Sequence, residues 1–171
     1  MFEGKAVSID ETAKWRPLAN VDRECFGCGP DNQHGLQMQF ESDGKHLRSI
    51  ITLEKRFSGW SNLIHGGILS TILDETMGWT VICLTQKFML TKGMQVNFIK
   101  PVRIGMTVMV TGYIRKRISK RKIEVVAEIT NDEGDICASS SGEFALFSKE
   151  QFLRMGIMSE EEMDTMLASI S

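Results

Sequence analysis

The stretch Asn62-Leu63-Ile64-His65-Gly66-Gly67 runs into apolar residues at helical spacing, and its residue types suit carbonyl chemistry. Two glycines let backbone come close to a ligand, and the first turn of a helix has N–H groups without intrahelical partners. With the positive end of the macrodipole, they make a cradle for a developing oxyanion. The plainer alternative is a tight helix entry with His65 as a capping or packed residue. Further along, Gly67, Thr71, Asp74 and Gly78 recur at three- and four-residue steps as a small, polar stripe. Asp74 stands among Leu73, Met77 and Trp79, where a carboxylate is costly to bury and must be exposed, paired or functional. Glu75 is turned by about 100° around the axis. It reads as the partner of a nearby Lys or Arg, and its place beside Asp74 adds it to the substrate-binding candidates.

Asp74 follows His65 by nine residues. On a helix that is about 13–14 Å along the axis and roughly the opposite side. Asp74 therefore cannot reach a group held at its own Gly66–Gly67 end. If both features serve one site, they come from two copies of the chain, with helices paired so that the acid of one faces the helix start of the other.

The elements that must position these residues follow from periodicity. Ile68, Leu69, Ile72, Leu73, Thr76, Trp79 and Thr80 predict a helix over 66–84 with a wide buried face. Upstream, Leu36–Ser42 and His46–Leu53 read as strands joined by Asp43-Gly44, a strong hairpin signal. The segment 57–64 reads as a loop. Downstream, strands are predicted near 91–100, 106–117, 121–131 and 135–147. Alternation of Met94, Val96 and Phe98 with Gln95 and Asn97 suggests one covered and one polar face. Residues 149–170 read as short helices, with Ser159 and Glu162 as a capping box. Two strands, one long helix and four strands give an α+β fold, an antiparallel sheet around a central helix. The organisation is a lead-in over 1–24, irregular or short-helical, a domain over 25–147, and a helical extension over 148–171.

The chain has 171 residues, 42% hydrophobic and 25% charged, with net charge −2 and pI near 5.9. That suits one globular domain and gives no global reason for a nucleic-acid partner. No apolar run approaches the length that a membrane-spanning helix needs, and Met1–Asp10 carries no secretory pattern. Four cysteines without an export signal point to a reducing, cytoplasmic setting.

His65-Gly66-Gly67 followed by Asp74-Glu75 resembles the signature of hotdog-fold thioesterases of the phenylacetyl-CoA and 4-hydroxybenzoyl-CoA thioesterase type. Cys25-x-x-Cys28-Gly29, with Asn32 and Gly35-Leu36, resembles the opening of one branch of that superfamily. Thr91-x-x-Met94-x-Val96-x-Phe98-x-x-Pro101-Val102 resembles its strand after the helix. The resemblance covers about residues 25–147. It implies a curved sheet wrapped around a long helix, in dimers that often pair into tetramers. It implies that the N–H of Gly66 polarises the thioester carbonyl, while Asp74 of the other subunit activates water or attacks directly. Thr91 matches a hydroxyl near the attacking water, and His65 is expected to hold the loop or the thioester. Some relatives carry Asn six residues before the histidine, where this chain has Gly59; Asn62 is nearer. The substrate implied is an acyl thioester of coenzyme A or acyl carrier protein, hydrolysed to free acid and thiol. Such a thioester needs an oxyanion cradle and one carboxylate, and no metal or cofactor.

Other residues carry weaker signals. Cys25-x-x-Cys28 reads as a structural turn, since only His34 or His46 offers company for zinc and no βαβ pattern supports a redox motif. Cys83 and Cys137 read as core. The basic run Arg115–Lys122, Arg117 included, is a solvated hairpin tip or an attraction for coenzyme A phosphates; Lys100 and Arg103 are alternative phosphate contacts. Met89, Met94, Met106 and Met109 fill core or line an acyl pocket with Trp60 and Trp79, and four methionines from Met155 to Met166 pack the C-terminal helices. Two other activities fit the same fold: a dehydratase or hydratase on acyl thioesters, and a non-catalytic acyl-CoA-binding module.

Overall fold

The computed structural model describes residues 12–170. Its organising element is helix α1, Gly66–Thr85, in which every residue from Thr76 to Ile82 is buried. A helix buried on all sides has to be wrapped by the rest of the chain. The wrap is one antiparallel sheet of β1 (Arg16–Pro17), β2 (Glu41–Ser42), β3 (His46–Thr52), β4 (Phe88–Phe98), β5 (Thr107–Ser119), β6 (Lys122–Thr130) and β7 (Ile136–Phe147). The strand order is β1-β2-β3-β5-β6-β7-β4, so β4, the strand that follows the helix, lies at an edge.

Helix and sheet meet closely where the sheet carries glycine. A Cβ on Gly112 of β5 would lie 2.2 Å from Thr80 Oγ1. Thr76 and Thr80, buried in this contact, donate their hydroxyls back to Ile72 O at 2.8 Å and Thr76 O at 2.7 Å, so neither is left unpaired. Leu73 and Met77 of the helix join Leu47, Ile123, Ile129 and Phe144 of the sheet in the fully buried core. The helix ends at Gln86, in the left-handed conformation (φ 53°), whose N–H reaches Ile82 O.

Three expectations need correction. First, α1 has 20 residues and a mean hydropathy of 1.2, by length and composition enough to cross a membrane, which corrects the expectation that the sequence holds no such run. Its apolar surface is used by the wrapped core instead. Second, the strand expected over Leu36–Ser42 is reduced to Glu41–Ser42. Leu36, Met38 and Phe40 are buried and alternate with exposed glutamines as a strand would, but Gln37 has φ 51° and breaks the ladder. Backbone partners come from elsewhere: Leu36 N–H donates to Phe26 O at 2.8 Å and Met38 N–H to Gly27 O at 3.0 Å. Third, Arg16–Pro17 of the lead-in is extended and pairs with β2, while residues 1–11 lie outside the described residues.

The C-terminal helices are α2 (Lys149–Leu153) and α3 (Glu160–Ser169). The capping box at Ser159 and Glu162 is formed, and Ser148 with Gln151 makes a second. Phe152 stacks on Phe88 with ring centroids 5.0 Å apart, which docks α2 on β4. Met163 and Met166 are buried and Met158 packs on the core, but Met155 is exposed.

Candidate functional site

The loop before α1 is tied down on both sides. His65 N–H donates to Phe57 O at 2.9 Å, Gly59 N–H to Leu63 O at 2.8 Å and Ile64 N–H to Val102 O at 2.9 Å. His65 is the N-cap: its Nδ1 accepts from Gly67 N–H at 2.9 Å, which leaves the ring proton on Nε2. One of the two glycine donors is thus used by the cap. The N–H of Gly66 has no acceptor among the described residues. It opens on a cleft of about 260 Å³ lined by Leu63, Leu69, Phe98 and Lys100 to Val102. The cap makes a stability prediction. His65→Ala should lower stability by about 1 kcal/mol, as an N-cap loss does, read as a lower urea midpoint with an unchanged slope.

Asp74 lies midway along α1 and accepts a hydrogen bond at Oδ1 from Thr91 Oγ1 at 3.0 Å. Thr91 sits where the β4–β7 register slips between Thr91 and Gly93, with Lys92 the extra residue. Bulges of this kind re-aim a side chain next to a site. Thr91 fixes the carboxylate while Oδ2 accepts no bond among the described residues. Gly66 and Asp74 are eight residues apart on one straight helix, about 12 Å along the axis. Within one chain the free N–H and the free carboxylate oxygen do not face a common point.

Beside Asp74 a cavity of about 150 Å³ is lined by Cys25, Cys28, Glu75, Trp79 and Met89, among others. Glu75 is turned into it, against the expectation of a Lys or Arg partner: it accepts from Trp79 Nε1 at 3.2 Å and lies 3.6 Å from Cys25 Sγ. The 100° step from Asp74 places it over the Cys25–Cys28 turn, where no cation stands among the described residues. Burial pushes the Glu75 carboxyl up to about 7. The Cys28 thiol, hydrogen-bonded to Cys25, holds the Cys25 thiol well below its ordinary value and is itself pushed up. Sequence reading missed this association because the partners are 50 residues apart.

The other candidates are scattered. Trp60 is 84% exposed and stands apart from the cavity that Trp79 lines. Asn62 is exposed, and its carbonyl accepts from Ile104 N–H at 3.2 Å. Lys100 is engaged by Asp135 at 2.6 Å, whereas Arg103 is exposed and bridges by backbone to Leu63 of the loop. Arg117 is exposed near the β5–β6 turn, in one cross-sheet row with Ile123, Phe144 and Thr91. Three strand spacings separate it from Thr91, about 14 Å. His34 is exposed and His46 pairs with Asp43 at 2.9 Å, so neither joins the cysteine pair.

Residues 61–138, which hold the helix start, Asp74 and Thr91, match the thioesterase superfamily by sequence. A thioesterase superfamily protein of solved structure superposes with a TM-score of 0.66 at 23% identity, over 84% of this chain and 70% of its own. Thioesterase superfamily member 2 of Mus musculus gives 0.60 at 20% identity, over 66% and 84% of the two chains. A Streptococcus mutans UA159 protein bound to acetyl CoA gives 0.58 at 18% identity, over 61% and 82%. At these identities the likeness carries the fold: a hotdog, with α1 as the filling and the seven-stranded sheet as the wrap. No match exists among curated protein sequences. In the matched segment the glycine donor and the acid both lie on α1, and the hydroxyl that fixes the acid comes from β4.

Proposed function

We propose that the protein is an acyl-CoA thioesterase acting as a dimer, with each site shared between subunits. The observation that carries this is the division of labour along α1: a free N–H at Gly66 and a fixed carboxylate at Asp74, set too far apart to meet within one chain. Edge strand β4 supports a partner copy. It is 11 residues long and among the described residues pairs only on its β7 side, with Leu90 and Phe98 exposed, and such an edge is a template for pairing. A copy joined there would bring its own α1 alongside in the opposite sense.

In this site the thioester carbonyl oxygen accepts from the Gly66 N–H, and the helix dipole favours the charge that develops on it. Asp74 Oδ2 takes a proton from water as the oxygen attacks the carbonyl carbon. The C–S bond then breaks, and the proton passes to the departing thiolate. Direct attack by Asp74, followed by hydrolysis of the anhydride, uses the same two groups. Arg103, beside the cleft at Gly66, is the phosphate contact favoured here, since Lys100 is held by Asp135. The acetyl CoA held by the streptococcal relative is in keeping with such a ligand. A cytoplasmic setting belongs to the same proposal and is supported by four cysteines that stand as thiols.

Thiol release from short-chain, long-chain and aromatic acyl-CoAs tests the reading. Turnover on at least one class, by a protein that elutes as a dimer or tetramer, is the expected result. Binding of coenzyme A esters without thiol release would make it a binding module, and loss of water from a 3-hydroxyacyl-CoA added to the panel, without thiol release, a dehydratase.

A further inference from the structure

Cys25, Cys28 and Glu75 form a cluster that hydrolysis of a thioester does not use. Their ligand atoms lie within 4.8 Å of one another, on a loop and a helix that the fold brings together. All three become anionic or polar acceptors when they lose protons, yet no Lys or Arg pairs with Glu75 among the described residues. Cationic donors are replaced by weaker ones: Gly27 N–H donates to Cys25 Sγ at 3.3 Å, and Trp79 Nε1 stands 3.4 Å from Cys28 Sγ and 3.2 Å from Glu75 Oε1. An indole N–H shared by two of the three groups is the kind of outer-shell donor that orients metal ligands.

The surroundings are built to hold this geometry. A Cβ on Gly27 would lie 2.5 Å from the Glu75 carboxyl carbon, and one on Gly29 would lie 2.5 Å from the Cys25 backbone nitrogen. Gly29 N–H closes the turn on Cys25 O at 2.9 Å, and Asn20 Nδ2 donates to Cys28 O at 2.7 Å. The loop is therefore fixed from within and from behind. The Cys25 Sγ to Glu75 Oε1 distance is 3.6 Å. A tetrahedral zinc with Zn–S about 2.3 Å and Zn–O about 2.1 Å would set sulfur and oxygen about 3.6 Å apart.

We propose that Cys25, Cys28 and Glu75 bind one thiophilic divalent cation of the zinc type, with a fourth position opening on the cavity that Asp22 and Asp74 also line. Three protein ligands with one open position is the pattern of an exchangeable rather than a closed site. The ion fastens the N-terminal loop to α1 beside the Thr91–Asp74 pair. The site is independent of the thioesterase reading, because its test reads metal and not turnover.

The probe is Co²⁺, added to full-length protein freed of metal by chelation and kept reduced, with Zn²⁺ as competitor. A thiolate-to-cobalt charge-transfer band that saturates at one ion per chain, and is erased by Zn²⁺, is the expected result. Cys28→Ser should abolish the band, and Trp79→Phe should weaken Zn²⁺ binding by about 10–100-fold, as loss of an outer-shell partner does. Glu75→Gln, which keeps the shape, should weaken it as well, with folding checked by circular dichroism. No band in the wild-type protein with both thiols titrating as free would overturn the site without recourse to any variant. Thiols that pair as a disulfide under these conditions, or a Glu75→Gln protein that binds as tightly as wild type, would overturn it too.

Discussion

Asp74→Asn is expected to lower thioester turnover by about 10²–10⁴, the usual worth of a positioned general base. The substitution is close to isosteric. An amide oxygen still accepts the Thr91 hydroxyl, which is 3.0 Å from Oδ1, so α1 and the bulge of β4 keep their relation. What disappears is the basic oxygen at Oδ2, the one with no partner among the described residues. The effect should therefore fall on kcat, with KM little changed, because the group acts as the reaction proceeds and not in binding. A variant with full turnover would remove Asp74 as the activating group, whether by water or by direct attack.

The second large effect is expected at Gly66. Gly66→Pro deletes the proposed oxyanion donor and should cost about 10²–10³ in turnover, as loss of one such donor does. Proline is well accepted at the first helical position, where the missing N–H has no intrahelical partner. His65 before it has ψ 135°, the extended conformation a residue preceding proline adopts. The ring must find room beside Phe98, since a Cβ at Gly66 would lie 3.3 Å from Phe98 Cζ; Phe98 is 57% exposed and can swing outward. Gly66→Ala is the matching control, adding the same Cβ while keeping the N–H. It should retain most of the activity, and equal losses in the two variants would mean that bulk, not the donor, matters at this position.

Much of the scaffold was legible in the chain itself. The three- and four-residue recurrence of Ile68, Leu69, Ile72, Leu73, Thr76, Trp79 and Thr80 after His-Gly-Gly specifies α1 to within one residue of its end. Asp43-Gly44 announces the β2–β3 turn, where Gly44 has φ 86°. Strands β5 to β7 were read near their true bounds, since their breaks fall at Gly105, the basic turn and Gly134. Asp74 stood out as an acid in an apolar helix, and Thr91 was singled out by resemblance; their hydrogen bond is a tertiary fact.

What escaped was decided by distant contacts. Leu36 to Phe40 has the alternation of a strand, but its backbone partners are in the cysteine loop, and nothing local reveals that. Glu75, turned by about 100° from Asp74, reads from the sequence as the partner of a Lys or Arg, while in the fold that helix face lies on Cys25 and Trp79. Lys100 looked free for phosphate until the fold brought Asp135 within 2.6 Å. The Ser148 and Gln151 box was readable and was missed beside the clearer one at Ser159.

The shared site is tested most directly by mixing the two variants. Chains carrying Asp74→Asn and chains carrying Gly66→Pro, each with its own affinity tag, are co-expressed, and the doubly tagged dimer is isolated. With sites built across the two-fold axis, one site of the mixed dimer holds both substitutions and the other holds none. The mixed dimer should then recover roughly half of wild-type turnover, although both parents are nearly inactive. Turnover that stays at the level of the parents would mean that Gly66 and Asp74 act within one chain, and the shared site would be wrong.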